Sequence, residues 1–260
     1  MSNDFDYAHS NKNVIWMSQN TNHLPTHSAV QEAINKSSEN REYTKYPLAS
    51  GLPELRQLIL DDLNLPEQDL HITNGGTEAL YCLMRHIQPK GTEMITSDPS
   101  YFVVHKFAKL GGAKCTDLPI YGGNYRFGVE DIKEAINPKT KSIFLIDPIN
   151  PLGSTYPKDE KKAICEVAED NDIWLIDDIT YRDFAPDHHL AADLLPEKTI
   201  TAYSVSKNCG LAGMRVGSLV GPKEFISDIR GTMVSDLGIN VVGQRASIAA
   251  WRLNQNGYQV

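Results

Sequence analysis

Residues 203–217 read YSVSKNCGLAGMRVG, a strand end followed by a glycine-containing loop with two basic residues. The β-rich run Thr199–Val205 leads directly to Lys207. Arg215 then comes just ahead of a second apolar run, Val216–Val220. A lysine that follows a buried strand loses part of the hydration of its ammonium group, and this loss favours the neutral amine. The stretch therefore predicts a sheet edge that presents one reactive amine and one permanent positive charge.

These two basic side chains suit the two ends of one kind of ligand. A neutral lysine amine can form an imine with an aldehyde. Arg215 keeps its charge, and its planar guanidinium group fits a phosphate. Pyridoxal 5'-phosphate carries both an aldehyde and a phosphate, so we expect the rest of the chain to supply the other contacts to that cofactor.

Composition limits the class of protein. The chain has 260 residues, of which 41% are hydrophobic and 22% charged, and this balance suits one large α/β domain with at most a small appendage. The net charge of −8 without a basic stripe argues against a nucleic-acid partner. No apolar run approaches the roughly 18 residues of a membrane span, and residues 1–13 lack the apolar core of a signal peptide. The four cysteines fit neither a disulfide framework nor a zinc site, so we expect a cytoplasmic protein.

Strand-like and helix-like patterns alternate along most of the chain. Residues 1 to about 30 predict an arm that packs on something else, such as another subunit. Seven short apolar runs then predict buried strands at residues 70–73, 94–96, 114–118, 142–146, 173–176, 199–205 and 216–220. Helical spacing of apolar residues separates several of these runs. The pattern predicts a three-layer α/β/α fold with a mostly parallel seven-stranded sheet.

In an open parallel sheet, ligands bind beyond the carboxyl ends of the strands. Four more polar motifs follow predicted strands, and they read NGGTEAL at 74–80, DPSY at 98–101, DPINPLG at 147–153 and DDITY at 177–181. In the first motif, Gly75 and Gly76 precede a helix, and free amides at a helix start bind phosphate. An ordinary turn with Thr77 as the helix cap is the alternative. The order of all five motifs favours a ligand site.

The other three motifs each have a functional and an ordinary interpretation. Tyr101 could lie flat on a planar ring, or it could be common packing. Asn150 could donate to a phenolic oxygen, or it could belong to a proline-rich turn. A carboxylate at the end of the apolar strand would suit a protonated pyridine nitrogen, or it could cap a helix. Successive strand residues face opposite sides, so only one of Asp177 and Asp178 can face the ring.

Together these motifs resemble the fold-type I pyridoxal-phosphate enzymes, and among them the class I and II aminotransferases. The resemblance runs from about Tyr43 to the end of the chain, and Arg215 follows Lys207 by eight positions as in that family. It rests on YP at 46–47, GLPELR at 51–56, GGTEAL at 75–80, NPLG at 150–153, DITY at 178–181, SVSK at 204–207 and GLAGMRVG at 210–217. It implies amino-group transfer between an amino acid and a 2-oxo acid. A decarboxylase, a lyase or a histidinol-phosphate-type transaminase on this fold, or a non-catalytic remnant, remains open.

The resemblance also implies a role for each motif. Lys207 would form a Schiff base with the cofactor and move a proton between the substrate Cα and the cofactor. Asp178, three residues before Tyr181, would pair with the pyridine nitrogen. Tyr181 and Asn150 would bind the phenolic oxygen, while Tyr101 would stack on the ring. The groups expected at the phosphate are Gly76, Thr77, Ser204 and Arg215, with Gly75 allowing close backbone approach. Tyr46 would reach the phosphate of the second subunit in a homodimer.

The chain departs from the family at three places. Asn-Pro-Thr-Gly becomes Asn-Pro-Leu-Gly at 150–153, and Asp-Glu becomes Asp-Ile at 178–179. Family members also continue into a smaller domain, whose arginine grips the substrate carboxylate. We expect residues 1–40 to form an N-terminal arm and the start of that small domain, residues 41–260 to form the large cofactor-binding domain, and the C-terminal part of the small domain to be absent from this chain. Arginines 230, 245 and 252 are not expected to replace the missing group.

Two remaining groups of charged or polar residues are expected to be solvated. His188 and His189 lie in a polar loop, where a solvated pair is favoured over a metal site. Glu160, Lys161 and Lys162, with Glu166, have the pattern of an exposed helix face.

Overall fold

The computed structural model describes residues 2–233 and 237–255, with only the backbone at 2–5, 254 and 255. The helices are α1 (Ser2–Ser10), α2 (Ser28–Glu39), α3 (Pro53–Leu63), α4 (Gly76–Ile87), α5 (Val103–Gly111), α6 (Val129–Ala135), α7 (Lys158–Asp170), α8 (Lys223–Ile229) and α9 (Val241–Gln255). The strands are β1 (Asp69–Thr73), β2 (Glu93–Asp98), β3 (Lys114–Pro119), β4 (Thr140–Ile146), β5 (Trp174–Asp178), β6 (Thr199–Ser204) and β7 (Gly217–Gly221). None of the described helices combines the length and apolar character needed to cross a membrane.

The seven strands form one sheet in the order β1-β7-β6-β5-β4-β2-β3. The pairs β2–β3, β2–β4, β4–β5 and β5–β6 are parallel. Strand β7 is antiparallel to both of its neighbours, β1 and β6. The prediction of an α/β fold with a mostly parallel seven-stranded sheet is confirmed, and each predicted strand overlaps an observed one.

Helices cover both faces of this sheet. Successive strand residues point to opposite sides, so alternate residues of one strand pack against different helices. On β4, Ile143 and Leu145 pack in the core beneath α6 and α7. The alternate residues, Phe144 and Ile146, pack in the core beneath α4, α5 and α8. A third apolar cluster joins α2, α3 and α9 to β1, β6 and β7. The carboxyl ends of the parallel central strands lie together at one end of the sheet, between these helical layers.

The N-terminal segment differs in part from its prediction as an arm. Helix α1 was not predicted, since its polar sequence has no apolar face. Trp16 packs within the segment, with its ring centroid 4.4 Å from that of His9. Ile15 and Met17 are 85% and 82% exposed, so the segment keeps an apolar surface. The domain division at residue 40 stays a prediction, and its far end at Val260 lies outside the described residues.

Candidate active site

The reversed strand β7 brings the Gly-Gly turn against the end of β6. Gly217 pairs with Thr73 of β1 on one side and with Ser204 of β6 on the other. A Cβ at Gly217 would lie 2.5 Å from Gly75 C and 2.9 Å from Tyr203 O, which is closer than atoms can pack. Glycine is therefore required here, and its small size allows the turn before α4 to approach β6.

Four of the predicted phosphate residues meet in this corner. Gly75 has φ +78°, and a Cβ on it would overlap the Arg215 guanidinium group. That guanidinium is fixed because its Nη1 donates to Ala212 O at 2.9 Å. A Cβ at Gly76 would come within 3.4 Å of Ser204 Cβ. The guanidinium group of Arg215, the end of β6 at Ser204 and the start of α4 are therefore neighbours, and guanidinium, hydroxyl and helix-start amide groups are the donors of anion sites.

Thr77 is the second residue of α4, and its side chain is exposed beside this corner. Ser204 Oγ donates to Ser206 Oγ at 2.9 Å and accepts from Ser206 N at 3.2 Å. Ser206, in the loop after β6, is therefore hydrogen-bonded to the hydroxyl of Ser204, the last residue of that strand. This bonding fixes the start of the segment that carries Lys207.

Lys207 lies at the same edge of the sheet, with its side chain partly buried. Its Nζ is 5.8 Å from the centroid of the Tyr181 ring and donates to Gln19 O at 2.7 Å. Burial lowers the pKa of Lys207, the charge of Arg215 lowers it further, and Asp178 opposes both effects. The amine therefore loses its proton more readily than an exposed lysine does, as the sequence reasoning requires.

Asp178 ends β5 and is almost fully buried. Burial raises its pKa to about 6, while hydrogen bonds from Thr180 and the charge of Lys207 oppose the rise. The Thr180 amide donates to Asp178 Oδ1 at 3.1 Å. Asp178 is absent from the ion pairs between described residues, so its charge is compensated mainly by hydrogen bonds. A cationic group of a ligand would stabilise its ionised form.

Asp177 has a different environment from its neighbour, on the opposite face of β5. Its Oδ1 is 3.7 Å from Lys161 Nζ, and its Oδ2 accepts from the amide of Ala191 at 3.0 Å. The alternation of strand residues thus directs Asp177 into the core beneath α7 and leaves Asp178 on the side of Lys207.

Tyr181 lies beside Lys207, and Tyr101 is close enough to Tyr181 to affect its pKa. Burial raises the pKa of Tyr181, and Asp178 and Tyr101 also interact with that hydroxyl. Tyr101 packs on the apolar cluster beneath α4 and α5. Asn150 is half-buried in the loop after β4. Tyr46 is 80% exposed and lines a different groove, together with Leu52 and Arg245, so it is not brought to this site within the chain.

Sequence reasoning missed the contribution of the N-terminal segment. Besides Gln19, whose carbonyl accepts from Lys207, Asn20 Nδ2 donates to Tyr181 OH at 3.2 Å. Asn22 donates to Asn208 O at 3.4 Å. Residues 19–22 therefore lie over the candidate site of their own chain. The polar composition of the segment gave no signal of this position.

Two expectations of solvated residues were wrong. Lys161 is wholly buried rather than on an exposed helix face, and it pairs with Asp147 at 2.5 Å. Glu160 is held by Arg126 at 2.6 Å, whereas Lys162 and Glu166 do form an exposed pair. The His188 side chain is only 6% exposed, and its Nε2 lies 3.5 Å from Asp147 Oδ2. A lysine at helical spacing from Ile164, Cys165 and Ala168 was the available signal, since those residues form the buried face of α7.

The family model described as aminotransferase class I and II matches residues 12–255. The chain belongs to the class I and II aminotransferases. Among curated aminotransferases, it is 27% identical to the aspartate aminotransferase of Pyrococcus horikoshii over 94% of this chain and 63% of that protein. It is 29% identical to the aspartate/prephenate aminotransferase of Thermus thermophilus over 76% of this chain and 53% of that protein. The chain thus spans between half and two thirds of these relatives.

A solved aminotransferase has the same fold. The structure titled as the aspartate aminotransferase from Thermus thermophilus with maleate superposes with a TM-score of 0.88 and 24% identity. The match covers 98% of this chain and 69% of that one. The family model confirms the predicted resemblance to the class I and II aminotransferases, and the shared fold confirms the predicted α/β architecture.

Three arginines, which were not expected to bind a substrate carboxylate, all pair with carboxylates of the chain away from the site. Arg230 binds Asp69 at 2.9 Å and Arg245 binds Glu42 at 3.0 Å. Arg252 pairs with Glu54. Each of the three guanidinium groups therefore already pairs with a carboxylate of the chain.

Proposed function

We propose that this chain holds the cofactor site of a pyridoxal-phosphate-dependent aminotransferase, which moves an amino group between an amino acid and a 2-oxo acid. The observation that carries the proposal is the position of Lys207. Its amine has a lowered pKa, interacts with the charges of Arg215 and Asp178, and lies 5.8 Å from the centroid of the Tyr181 ring. Family membership supports the same reaction class.

The residues at the sheet edge fit pyridoxal phosphate. When bound, this cofactor supplies an aldehyde that condenses with amines and a pyridine ring that withdraws electrons from the substrate Cα. Its phosphate would be held by Gly76, Thr77, Ser204 and Arg215, with Gly75 leaving room for close approach. A Cβ at Gly75 would overlap the Arg215 guanidinium group, so glycine is what allows that group to lie against the turn before α4, which supports this assignment.

The other groups would orient and charge the ring. Asp178 is buried and has a raised pKa, so a protonated pyridine nitrogen is the partner that would stabilise its carboxylate. Tyr181 and Asn150 would donate to the phenolic oxygen, and Tyr101 would stack on the ring. Lys207 would attach the cofactor and, once released from it, take and return the proton at the substrate Cα.

The proposal includes a homodimer, small-molecule substrates and a cytoplasmic location. Tyr46 is exposed in a groove outside the site, as expected if it reaches the phosphate of a second subunit. The exposed side chains of Ile15 and Met17 offer apolar surface for such an interface. The cytoplasmic location rests on the composition of the sequence alone.

Covalent capture and single-turnover chemistry test the proposal separately. The chain is loaded with pyridoxal phosphate, reduced with borohydride and digested, and the labelled peptide is expected to contain Lys207. A second sample of loaded, unreduced protein is mixed with amino acids including aspartate, and absorbance should show conversion of the bound aldehyde form of the cofactor to its amine form.

Four outcomes are distinguishable. Label on Lys207 with conversion supports the proposal. Label on Lys207 without conversion across a broad panel of amino acids favours a cofactor-binding remnant. Label on another lysine overturns the site assignment. Release of carbon dioxide in place of conversion would indicate a decarboxylase.

A further inference from the structure

Three charged side chains with no solvent exposure lie directly behind the candidate site. Asp147 follows β4, Asp177 is in β5 and Lys161 is in α7, and each side chain is 0% exposed. Lys161 Nζ is 2.5 Å from Asp147 Oδ2 and 3.7 Å from Asp177 Oδ1. We call these three residues the buried triad. They lie on the α7 face of the sheet, opposite Asp178.

Hydrogen bonds connect the buried triad to the loop that crosses above it. Lys161 Nζ donates to His189 O at 2.6 Å, and the Ala191 amide donates to Asp177 Oδ2 at 3.0 Å. The Tyr156 amide is 3.4 Å from Asp147 Oδ1. One ammonium group therefore joins two neighbouring strand ends, helix α7 and the loop at 189–191.

The buried triad is costly as a means of stabilising the fold. Each charge has lost its water, and packed apolar side chains of similar volume often stabilise a core as well or better. The best-attested use of such buried charges is to fix one arrangement of the surrounding chain. The triad also has two carboxylates for one ammonium group, so Lys161 is its essential counter-charge.

Both carboxylates of the triad adjoin residues of the candidate site. Asp147 opens the loop that carries Asn150, and Asp177 immediately precedes Asp178. Strands β4 and β5 pair with Ile146 opposite Asp178, and the Asp147 amide donates to Asp178 O at 3.0 Å. A shift of either strand end would therefore move Asn150 or Asp178.

We propose that Lys161 is a positioning residue, whose contacts with Asp147 and Asp177 fix the strand ends that present Asn150 and Asp178 to the cofactor. The inference rests on the proposed function, because it concerns where those two residues meet the ring. Lys161 itself lies on the other face of the sheet and touches neither the cofactor site nor Lys207.

The test compares the parent chain with Lys161→Met and with the triple variant Lys161→Met/Asp147→Asn/Asp177→Asn. The single variant removes the ammonium group from two buried carboxylates and leaves only the His188 ring beside them, with its Nε2 3.5 Å from Asp147 Oδ2, which endangers its folding. The triple variant removes all three charges at nearly constant volume, so it tests positioning in a folded protein. Lys162→Met, at the exposed neighbouring position, is the matched control.

Two readouts follow each folded variant. The first is hydrogen–deuterium exchange of residues 147–153 and 177–181 in the cofactor-free chain, which we expect to become about tenfold faster in the triple variant and to stay unchanged in Lys162→Met. The second is the dissociation constant for pyridoxal phosphate together with the visible spectrum of the bound cofactor. We expect the triple variant to bind about tenfold more weakly, a loss of about 1.4 kcal/mol, with a shifted absorbance band.

The outcomes separate this inference from the proposed function. Parental exchange, affinity and spectrum in the triple variant would overturn the positioning role. Faster exchange with parental affinity and spectrum would also overturn it, since the moved residues would then not serve the cofactor. If the parent chain captures no pyridoxal phosphate, the proposed function fails and the inference fails with it, whatever the exchange rates show.

Discussion

Asp177 and Asp178, adjacent at the end of β5, lie on opposite faces of the sheet and have different surroundings. Asp177 faces α7, where Lys161 is 3.7 Å away and the Ala191 amide donates to it. Asp178 faces the other side, where burial raises its pKa to about 6 and Thr180 supplies hydrogen bonds. A buried carboxylate with its own lysine is part of the architecture. Asp178 has no such lysine among the described residues, and a cationic group of a ligand would stabilise its ionised form.

The largest expected effect is on the Asp178 face. Lys207→Ala removes the amine that lies next to Tyr181, so covalent capture of pyridoxal phosphate is expected to be lost completely. Arg215 and the amides before α4 should still bind the cofactor without a covalent bond. Borohydride reduction with peptide mapping measures the capture, and equilibrium dialysis measures the remaining affinity. Retained covalent label would show that another lysine is the reactive one.

Exchanging each aspartate for asparagine compares the two faces directly. Asp178→Asn should retain the cofactor and slow Cα–H exchange of bound amino acids roughly 10²–10³-fold, the usual effect of removing one charge-stabilising group. Asp177→Asn should leave that rate within a few-fold, because its side chain points into the α7 face. Exchange of the Cα proton for deuterium, followed by NMR, gives both rates. A larger effect from Asp177→Asn would reverse the assignment of the two faces.

Stability should show the opposite pattern. Lys161→Met removes the ammonium group that pairs with two buried carboxylates, so the free energy of unfolding is expected to fall by about 3–5 kcal/mol. Asp177→Asn leaves Lys161 paired with Asp147, so a loss of about 1 kcal/mol is expected. Lys162→Met, on the solvated side of α7, should stay within about 0.5 kcal/mol of the parent. Urea denaturation of the cofactor-free proteins measures all three, and equal losses for Lys161→Met and Lys162→Met would contradict the burial of Lys161.

The smallest expected effect is a pH dependence of the cofactor-free chain. The pKa of Asp178 is raised from 3.8 to about 6, so the folded state binds this proton more tightly than the unfolded state does. The resulting stabilisation is present below about pH 4 and is lost as the pH rises through 6. A shift of about two units corresponds to a few kcal/mol at most. The difference in unfolding free energy between parent and Asp178→Asn should therefore shift in favour of the variant between pH 4 and pH 7.

Urea denaturation at these two pH values checks the sign. Asp172→Asn is a suitable control, because that carboxylate is exposed beside Lys198. A difference that moves in favour of the parent as the pH rises would mean that the Asp178 carboxylate already has a cationic partner in the cofactor-free chain.

The sheet could be predicted because its strands are short apolar runs, and apolar runs bounded by turns have few other uses. The order of polar motifs after those strands also predicted which residues would gather at one edge, as Ser204, Arg215 and the Gly-Gly turn do. The position of residues 19–22 could not be predicted. These residues contact Lys207 and Tyr181, which lie far away in the sequence. The segment is polar and has no periodic pattern, so the sequence did not indicate those contacts.

Lys161 shows a different limit of sequence reasoning. Charged residues next to each other in a helix usually indicate a solvated face, and that rule holds for Lys162 but fails one position earlier. The deciding information lay elsewhere in the chain, in Asp147 and Asp177, which only the pairing of β4 with β5 brings together. A buried charge can be recognised once its partners are known, and those partners are set by the fold.

The single reversed strand has a consequence for how the site is assembled. Because β7 runs back alongside β6, the connection between them, residues 205–216, stays at one end of the sheet, whereas a parallel strand would require the chain to cross back to the other end. One hairpin, residues 199–221, therefore carries both the amine and the guanidinium group. Their separation is set locally, and insertions in the other connections of the sheet would leave it unchanged.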